Sequence, residues 1–353
     1  MVKVGIIGCG RITQRRHAPE FAGNPDVKIV GYYDRTRFRA EQLSKLYGGE
    51  VYDTVEELLA NPEIDAVSVC VANCAHAEVS IKAMEAGKHV LCEKPMATTV
   101  EECQQMLSTA QRTGRFLMIA QNQRFNTGHL RAKELISQGM IGTPLTFKTT
   151  FCHGGPERWL NPGPCESRQT GTIWFFDKKA ASMGAMADLG IHKADLIQYL
   201  LGQDITEVTA KVMTLDKKDE QGNLIELEDN AICILKMNNG VIGTLTVSWT
   251  DYGEEDNSTV IFGTKGLMRI YDNSEHTIQI STDRGDKIYY DLDRMMTNVN
   301  QRESGVVSEF VRELESGDWA NAANESSVNA IRAVIAAFTS SAEDRTIRLN
   351  EVR

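Results

Sequence analysis

The chain has 353 residues, 38 basic against 48 acidic, and a formal charge of −10. That length is too great for one ordinary core, so two domains are expected, and an apolar share of 42% with 24% charged residues is that of a soluble globular protein. A net acidic chain has no general attraction to phosphate backbones or anionic lipid, which argues against nucleic-acid and membrane-surface roles. No run of about 18 apolar residues is present, and the start MVKVGIIGCGR reads as a strand entering a turn rather than a signal peptide, so a cytoplasmic location is expected. The eight cysteines are scattered. Cys70 and Cys74 have no second pair at zinc-site spacing, and the reading is reduced thiols with no metal.

Taken in chain order, Val2–Ile7, Val27–Tyr33, Ala66–Val71, His89–Cys92 and Phe116–Ala120 are apolar runs of strand length. Helical patterns at Arg37–Tyr47, Ala75–Ala86 and Thr99–Arg112 lie among them. This alternation predicts a mainly parallel sheet covered on both faces, over residues 1–122. From residue 123 to 353 the texture changes to strand-like runs: Ile141–Cys152, Ile205–Leu215, Ala231–Met237, Val241–Thr250, Ser258–Gly263, Leu267–Tyr271, Thr277–Ser281 and Lys287–Tyr290. Helices are expected near Ala187–Leu201, Val306–Ser316 and Ser326–Ser341. The second half is therefore an α+β domain on a large, mostly antiparallel sheet. The irregular stretch His153–Lys179 is long enough to be a functional loop.

Gly8-Cys9-Gly10 follows the first strand and opens a helix at Arg11-Ile12-Thr13. Two glycines there allow a tight turn and close approach of backbone to a pyrophosphate seated on the helix amino terminus. Thr13 replaces the third glycine of the usual fingerprint, which should loosen the helix against the strand slightly. Asp34 ends the second strand 21 positions after Thr13, near the spacing at which a carboxylate takes ribose hydroxyls. That carboxylate repels a 2′-phosphate and favours NAD, while Arg35, Arg37 and Arg39 leave NADP open. His89-Val-Leu-Cys-Glu93-Lys94-Pro95 places a charged triplet at the carboxyl end of a strand, the edge where open α/β sheets bind ligands.

These residues, with Ala86-Gly87-Lys88 ahead of His89 and Asp188-Leu-Gly-Ile-His192 downstream, resemble the Gfo/Idh/MocA oxidoreductase family, which includes glucose–fructose oxidoreductase and inositol dehydrogenase. Further echoes are Val71-Ala72-Asn73 with His76, Gln123-Arg124-Phe125, Trp174-Phe175 and Asn329-Ala-Ile-Arg-Ala-Val, so the similarity covers nearly the whole chain. The resemblance implies an N-terminal Rossmann domain, a C-terminal α+β domain on an open sheet, bound NAD(H) or NADP(H), and a homodimer or homotetramer. It implies oxidation of a secondary hydroxyl, or reduction of a ketone, on a sugar or polyol. Lys94 is then the catalytic lysine, Asp188 orients substrate and His192 exchanges the hydroxyl proton. Gly8, Gly10, Asp34, Asn73, His76 and Glu93 fall at cofactor-side positions, with Arg11, Ile12, Arg35 and Ala72 beside them, and Arg124 at a substrate-side one.

The residues bear on this independently. Asp188 and His192 are four apart, so on a helix they share a face. A histidine near pKa 6.5 suits the role of base, and a lysine ammonium on the same oxygen stabilises developing charge. Ser182-Met183-Gly184-Ala185 departs from the glycines usual before Asp188. The loop with His153, Trp159, Asn161 and Cys165 would lie over substrate, with Trp159 or Trp174 stacking on a sugar face. Two competing expectations are a glycosidase that uses bound NAD through transient oxidation and elimination, and a non-catalytic dinucleotide sensor.

Overall fold

The computed structural model describes residues 1–159, 173–295, 303–317, 319 and 324–352. The chain divides into two units. Of the described residues, the first holds Met1–Asn122 with 159, 303–317, 319 and 324–325, and the second holds 123–158, 173–295 and 326–352.

In the first unit, β1 (Val2–Ile7), β2 (Val27–Tyr33), β3 (Glu50–Val51), β4 (Ala66–Val69), β5 (His89–Cys92) and β6 (Leu117–Ile119) form one sheet in the order β3-β2-β1-β4-β5-β6. Every pair is parallel. All four side chains of β4 are buried, as expected of a strand covered on both faces. The strand order reverses between β1 and β4, which opens a crevice at their carboxyl ends. The helix Val100–Thr113 starts at a reciprocal cap between Thr99 and Glu102 and ends on Gly114 at φ +62°. The short helix Val55–Ala60, capped by Thr54, was not expected from the sequence. The sequence reading runs the second domain unbroken from 123 to the end, yet the helix Val306–Ser316 packs in this first unit. Its Phe310 stacks on Phe116 with ring centroids 5.4 Å apart. An amphipathic helix declares that it needs a core but not which one.

The second unit carries β7 (Pro144–Cys152), β8 (Ile205–Met213), β9 (Asn230–Met237), β10 (Ile242–Ser248), β11 (Thr259–Gly263), β12 (Gly266–Ile270), β13 (Ile278–Thr282), β14 (Lys287–Tyr290) and β15 (Ile347–Arg348). They form a nine-stranded sheet in the order β14-β13-β12-β11-β7-β10-β9-β8-β15. All pairs are antiparallel except the central β7–β10 pair, which is parallel. Along β9, Ala231, Cys233, Leu235 and Met237 are buried while Ile232 and Ile234 point to the exposed face. The helix Ile191–Leu201 packs on β7 and is buried along nearly its whole length. Among the described residues, no helix is long and apolar enough to cross a membrane.

Candidate active site

In the first unit the turn after β1 has its geometry set by Gly8. This residue takes φ +94°, and a Cβ there would lie 2.3 Å from the Cys70 carbonyl oxygen, so only glycine lets the two chains pass. Around Gly10, by contrast, nothing lies within 4 Å of where a Cβ would stand. The helix begins at Arg11 and Ile12, both half-buried, and widens into a π-turn over Thr13–His17. Such turns recur at functional sites. The Thr13 hydroxyl, fully buried, donates to the Gly8 carbonyl at 2.6 Å, and Gln14 Nε2 donates to the Cys9 carbonyl at 2.9 Å. A threonine in place of glycine thus exchanges close packing for a hydrogen bond.

Asp34, just past β2, accepts from the Cys9 backbone N–H at Oδ2 and from the Thr36 N–H at Oδ1, each at 2.7 Å. The glycine turn and the predicted ribose ligand are therefore one hydrogen-bonded unit. Arg35 is exposed, and Arg37 pairs with Glu41 and Asp53. Past β4, Ala72 is half-buried and Asn73 opens a short 3₁₀ turn ahead of His76. The buried His76 ring faces two carbonyls, Pro95 at 2.7 Å and Val71 at 3.2 Å, and so ties the end of β4 to the Lys94–Pro95 turn. Burial holds its pKa below the ordinary histidine value.

Lys94 lies two residues past β5, half-buried. Glu93 beside it is buried; its Oε2 accepts from the Lys94 backbone N–H at 3.1 Å and its Oε1 faces His17 Nε2 at 2.9 Å. Sequence reasoning missed His17, because nothing local to it signals a partner 76 positions away.

In the second unit Asp188 and His192 are 6% and 7% exposed. They do not lie on one regular α-helix as expected. Met186–Gly190, which includes Asp188, is a π-turn that runs into the α-helix Ile191–Leu201. A π-turn holds more residues per turn, so a spacing of four still brings two side chains close to one face. Asp188 Oδ2 accepts from the Trp249 indole N–H at 3.1 Å, and Trp249 is completely buried. The His192 ring packs near Phe151 with centroids 6.1 Å apart, and Phe151 makes an edge contact with His153 at 5.7 Å. His153 Nδ1 accepts from the Gly155 N–H at 3.0 Å, which puts the ring proton on Nε2.

The segment before Asp188 is held by a residue the sequence reading did not single out. Glu228 accepts from the Met186 N–H at Oε1, 2.9 Å, and its carbonyl accepts from the Ala185 N–H at 3.0 Å. A Cβ on Gly184 would lie 2.0 Å from that carbonyl oxygen, so glycine is required there, while Ser182 sustains φ +69° without being one. Burial pushes the Glu228 carboxyl up to about 7. Lys193, next to His192 and fully buried, donates to the carbonyls of Asn257 at 3.0 Å and Ser258 at 3.4 Å, and burial pushes it down to about 7. Its signal was present: Lys193 and Asp195 are charged residues in a helix that is buried along nearly its whole length.

Arg124 is buried and directs its guanidinium at Asp195, on the same helix as His192, and at Ser326. Trp174 is half-buried and stacks on Phe175, which in turn meets Trp249 edge-on. The Trp159 side chain, Asn161 and Cys165 lie outside the described residues. Cys9, Cys70, Cys74, Cys92, Cys103, Cys152 and Cys233 are free thiols, and among the described residues no cluster of three or more His, Cys, Asp or Glu side chains forms a metal site.

Residues 2–121 match the model of an oxidoreductase family with an NAD-binding Rossmann fold, and residues 129–269 match the GFO/IDH/MocA C-terminal domain. The chain is 26% identical to a myo-inositol 2-dehydrogenase of Thermotoga maritima over 356 residues, 99% of each chain. It is 30% identical to an uncharacterized oxidoreductase of Streptococcus pneumoniae over 272 residues, 76% of this chain and 68% of that one. The structure of an aldose–aldose oxidoreductase from Caulobacter crescentus shares the fold at a TM-score of 0.82, with 22% identity and coverage of 98% of this chain and 99% of that one. The chain belongs to the Gfo/Idh/MocA family of oxidoreductases, and its first unit is an NAD-binding Rossmann domain.

Proposed function

We propose that this oxidoreductase is a cytoplasmic, homo-oligomeric, NAD-dependent dehydrogenase acting on a secondary hydroxyl of a sugar, inositol or related polyol. The observation that carries the reading is the buried pair Asp188 and His192 at a π-to-α junction, with the Asp188 carboxylate oriented by Trp249. The Thermotoga maritima relative acts on myo-inositol by its name, which supports the polyol class.

The first unit fits a dinucleotide. The open space at Gly10, the first helical N–H groups after it, and the Asp34 carboxylate anchored on Cys9 provide for pyrophosphate and ribose. A carboxylate has about four lone-pair sites, so two main-chain bonds leave Asp34 capacity for a diol. Bound NAD would supply the hydride acceptor. Everything else falls to side chains of this chain. His192 takes the hydroxyl proton, the Lys94 ammonium donates to the same oxygen and stabilises its charge, and Asp188 orients the substrate. Arg124 acts through Asp195, fixing the helix that carries His192, while His153 and Trp174 serve the substrate side. Arg11, Ile12, Arg35, Ala72, Asn73, His76 and Glu93 serve the cofactor side, and the carboxylate of Asp34 selects NAD over NADP.

The test is a spectrophotometric screen of sugars, inositols, sugar acids and amino sugars with NAD and NADP. NADH formation with one class is expected, and Lys94→Ala and His192→Ala should each lower turnover by about 10²-fold or more while NAD still binds. Near-full turnover in His192→Ala would remove it as the proton carrier. Cleavage of an aryl glycoside with no net NADH would replace the dehydrogenase by a redox-assisted glycosidase.

A further inference from the structure

Four buried polar groups in the first unit form a chain that ends on Lys94. Cys70 Sγ lies 3.4 Å from Ser68 Oγ, Ser68 Oγ lies 2.8 Å from His17 Nδ1, and His17 Nε2 lies 2.9 Å from Glu93 Oε1. Glu93 Oε2 then accepts the Lys94 backbone N–H. The His17 side chain is 3% exposed and that of Glu93 10% exposed. Both ring nitrogens face acceptors, because Ser68 can give its own proton to the Cys70 sulfur and accept from Nδ1. That arrangement gives an imidazolium a partner for each of its two protons.

The electrostatics agree with the geometry. Burial alone would lower the pKa of His17, but Cys70 and Glu93 outweigh it and hold the ring well above its ordinary value. Burial alone would raise that of Glu93, but His17, the Lys94 ammonium and Arg16 bring it down to about 2. The charged groups around the pair are therefore Lys94, Arg16 and, beyond Arg16, Glu20, whose carboxylate also accepts from the Ser304 N–H and hydroxyl. His76 faces Glu93 as well, and burial keeps it toward the neutral form. An ion pair enclosed this far is costly to build in a protein interior and is poor evidence for stability by itself. It joins two elements with separate tasks, since His17 closes the π-turn of the helix that opens at Gly10 and Glu93 precedes Lys94.

We propose that His17 is a positioning residue for Lys94: it holds Glu93 so that one carboxylate grips the Lys94 main chain and faces the Lys94 ammonium. The direction of that ammonium is thereby coupled to the helix at the dinucleotide turn. This rests on the reading of Lys94 as the residue that donates to the substrate oxygen.

The test compares His17→Gln, His17→Ala, Glu93→Gln and Lys94→Ala in the full chain, on whichever polyol gives the fastest turnover in the screen. His17→Ala should lower kcat by about 10–100-fold with NADH affinity nearly unchanged, and His17→Gln, which keeps an N–H donor toward Glu93, should recover part of the loss. The two charge-removing variants should move the alkaline limb of the kcat profile in opposite directions. Glu93→Gln deprives the ammonium of its counter-ion and moves the limb to lower pH; His17→Gln leaves Glu93 unshared and moves it to higher pH. NMR of the labelled His17 ring, which needs no substrate, should find an imidazolium at pH 8 in the parent chain and a neutral ring in Glu93→Gln. A neutral ring in the parent, or a kcat and alkaline limb unmoved in both Gln variants while melting temperature alone falls, would overturn the proposal. If Lys94→Ala itself kept full turnover, the reading of Lys94 would fail instead, and the NMR result would still decide whether the pair exists.

Discussion

Arg124 meets Asp195 through two parallel hydrogen bonds, Nε to Oδ2 and Nη2 to Oδ1, each 2.6 Å long. Ser326 Oγ donates to the same Oδ1 at 3.1 Å, and the Tyr199 ring lies under the guanidinium at 5.0 Å. Asp195 is 1% exposed. The fork-to-fork geometry needs arginine, since a lysine offers a point charge with no planar pair of donors. Arg124→Ala strands a buried carboxylate three residues past His192, and a loss of about 3–5 kcal/mol in unfolding free energy is expected. Chemical denaturation checks it. Asp195→Asn in the same chain should recover part of the loss, because the stranded charge is gone, so the two single losses should not add. A stability unchanged in Arg124→Ala would mean that the pair is not formed in solution.

What the sequence made legible was local. Gly8, Gly10 and Asp34 stand at fixed offsets from strands that their own composition announces, so both the parallel sheet and its crevice could be read. Asp188 and His192 were singled out by the family resemblance, with their four-residue spacing only in support, and the π-turn at Met186–Gly190 was not read at all, because an i→i+5 ladder leaves no periodic trace over five residues. The groups that orient the chemistry lie far off in sequence. Glu228 is 42 positions from Met186, Asp195 is 71 from Arg124, and Glu93 is 76 from His17. Each is a polar residue whose purpose appears only once the fold has brought its partner to it. The parallel pairing of β7 and β10 was likewise hidden, since alternation fixes which face a strand buries and says nothing of its direction.

Asp34 gives a prediction with two separable parts. Its carboxylate holds the Cys9 N–H at 2.7 Å, so Asp34→Ala should weaken NAD binding by releasing the glycine turn, whatever nucleotide is present. It should also relax the preference for NAD over NADP, since the repulsion of a 2′-phosphate is removed while Arg35 remains. Titration of both nucleotides by fluorescence separates the two. A weaker affinity with an unchanged NAD to NADP ratio would keep Asp34 as a turn anchor and remove it from the ribose.

The exposed face of the nine-stranded sheet presents Ile232, Ile234 and Ile242 at 55%, 49% and 47% exposure. Ile232 and Ile234 sit opposite Thr246 and Thr244 on β10, so the exposed isoleucines lie among β-branched neighbours across the two strands. Such a face is expected to meet a second copy of the chain. Ile234→Lys should then shift the protein toward monomers in light scattering while leaving its circular dichroism unchanged. A parent chain that is monomeric at micromolar concentration would refute the homo-oligomer.

Glu228 sets a pH dependence of opposite sense to the usual acidic residue. Burial raises its folded-state pKa to about 7, above the ordinary 4.5. Below about pH 4.5 the carboxyl is protonated in folded and unfolded chains alike, so it then contributes no penalty. Between that point and pH 7 the unfolded chain ionises freely while the folded one resists, so stability falls as pH rises, by up to about 3 kcal/mol at the order-of-magnitude level. Glu228→Gln keeps an oxygen to accept from the Met186 N–H and carries no charge at any pH. It should therefore be more stable than the parent at pH 8, and the difference should shrink steadily toward pH 4.5. Because the residue holds the start of the segment that bears Asp188, the same variant should flatten any loss of turnover that sets in as Glu228 ionises. Urea denaturation at pH 5 and pH 8 settles the first point: an advantage for Glu228→Gln that is equal at both values would show that Glu228 does not titrate in that interval.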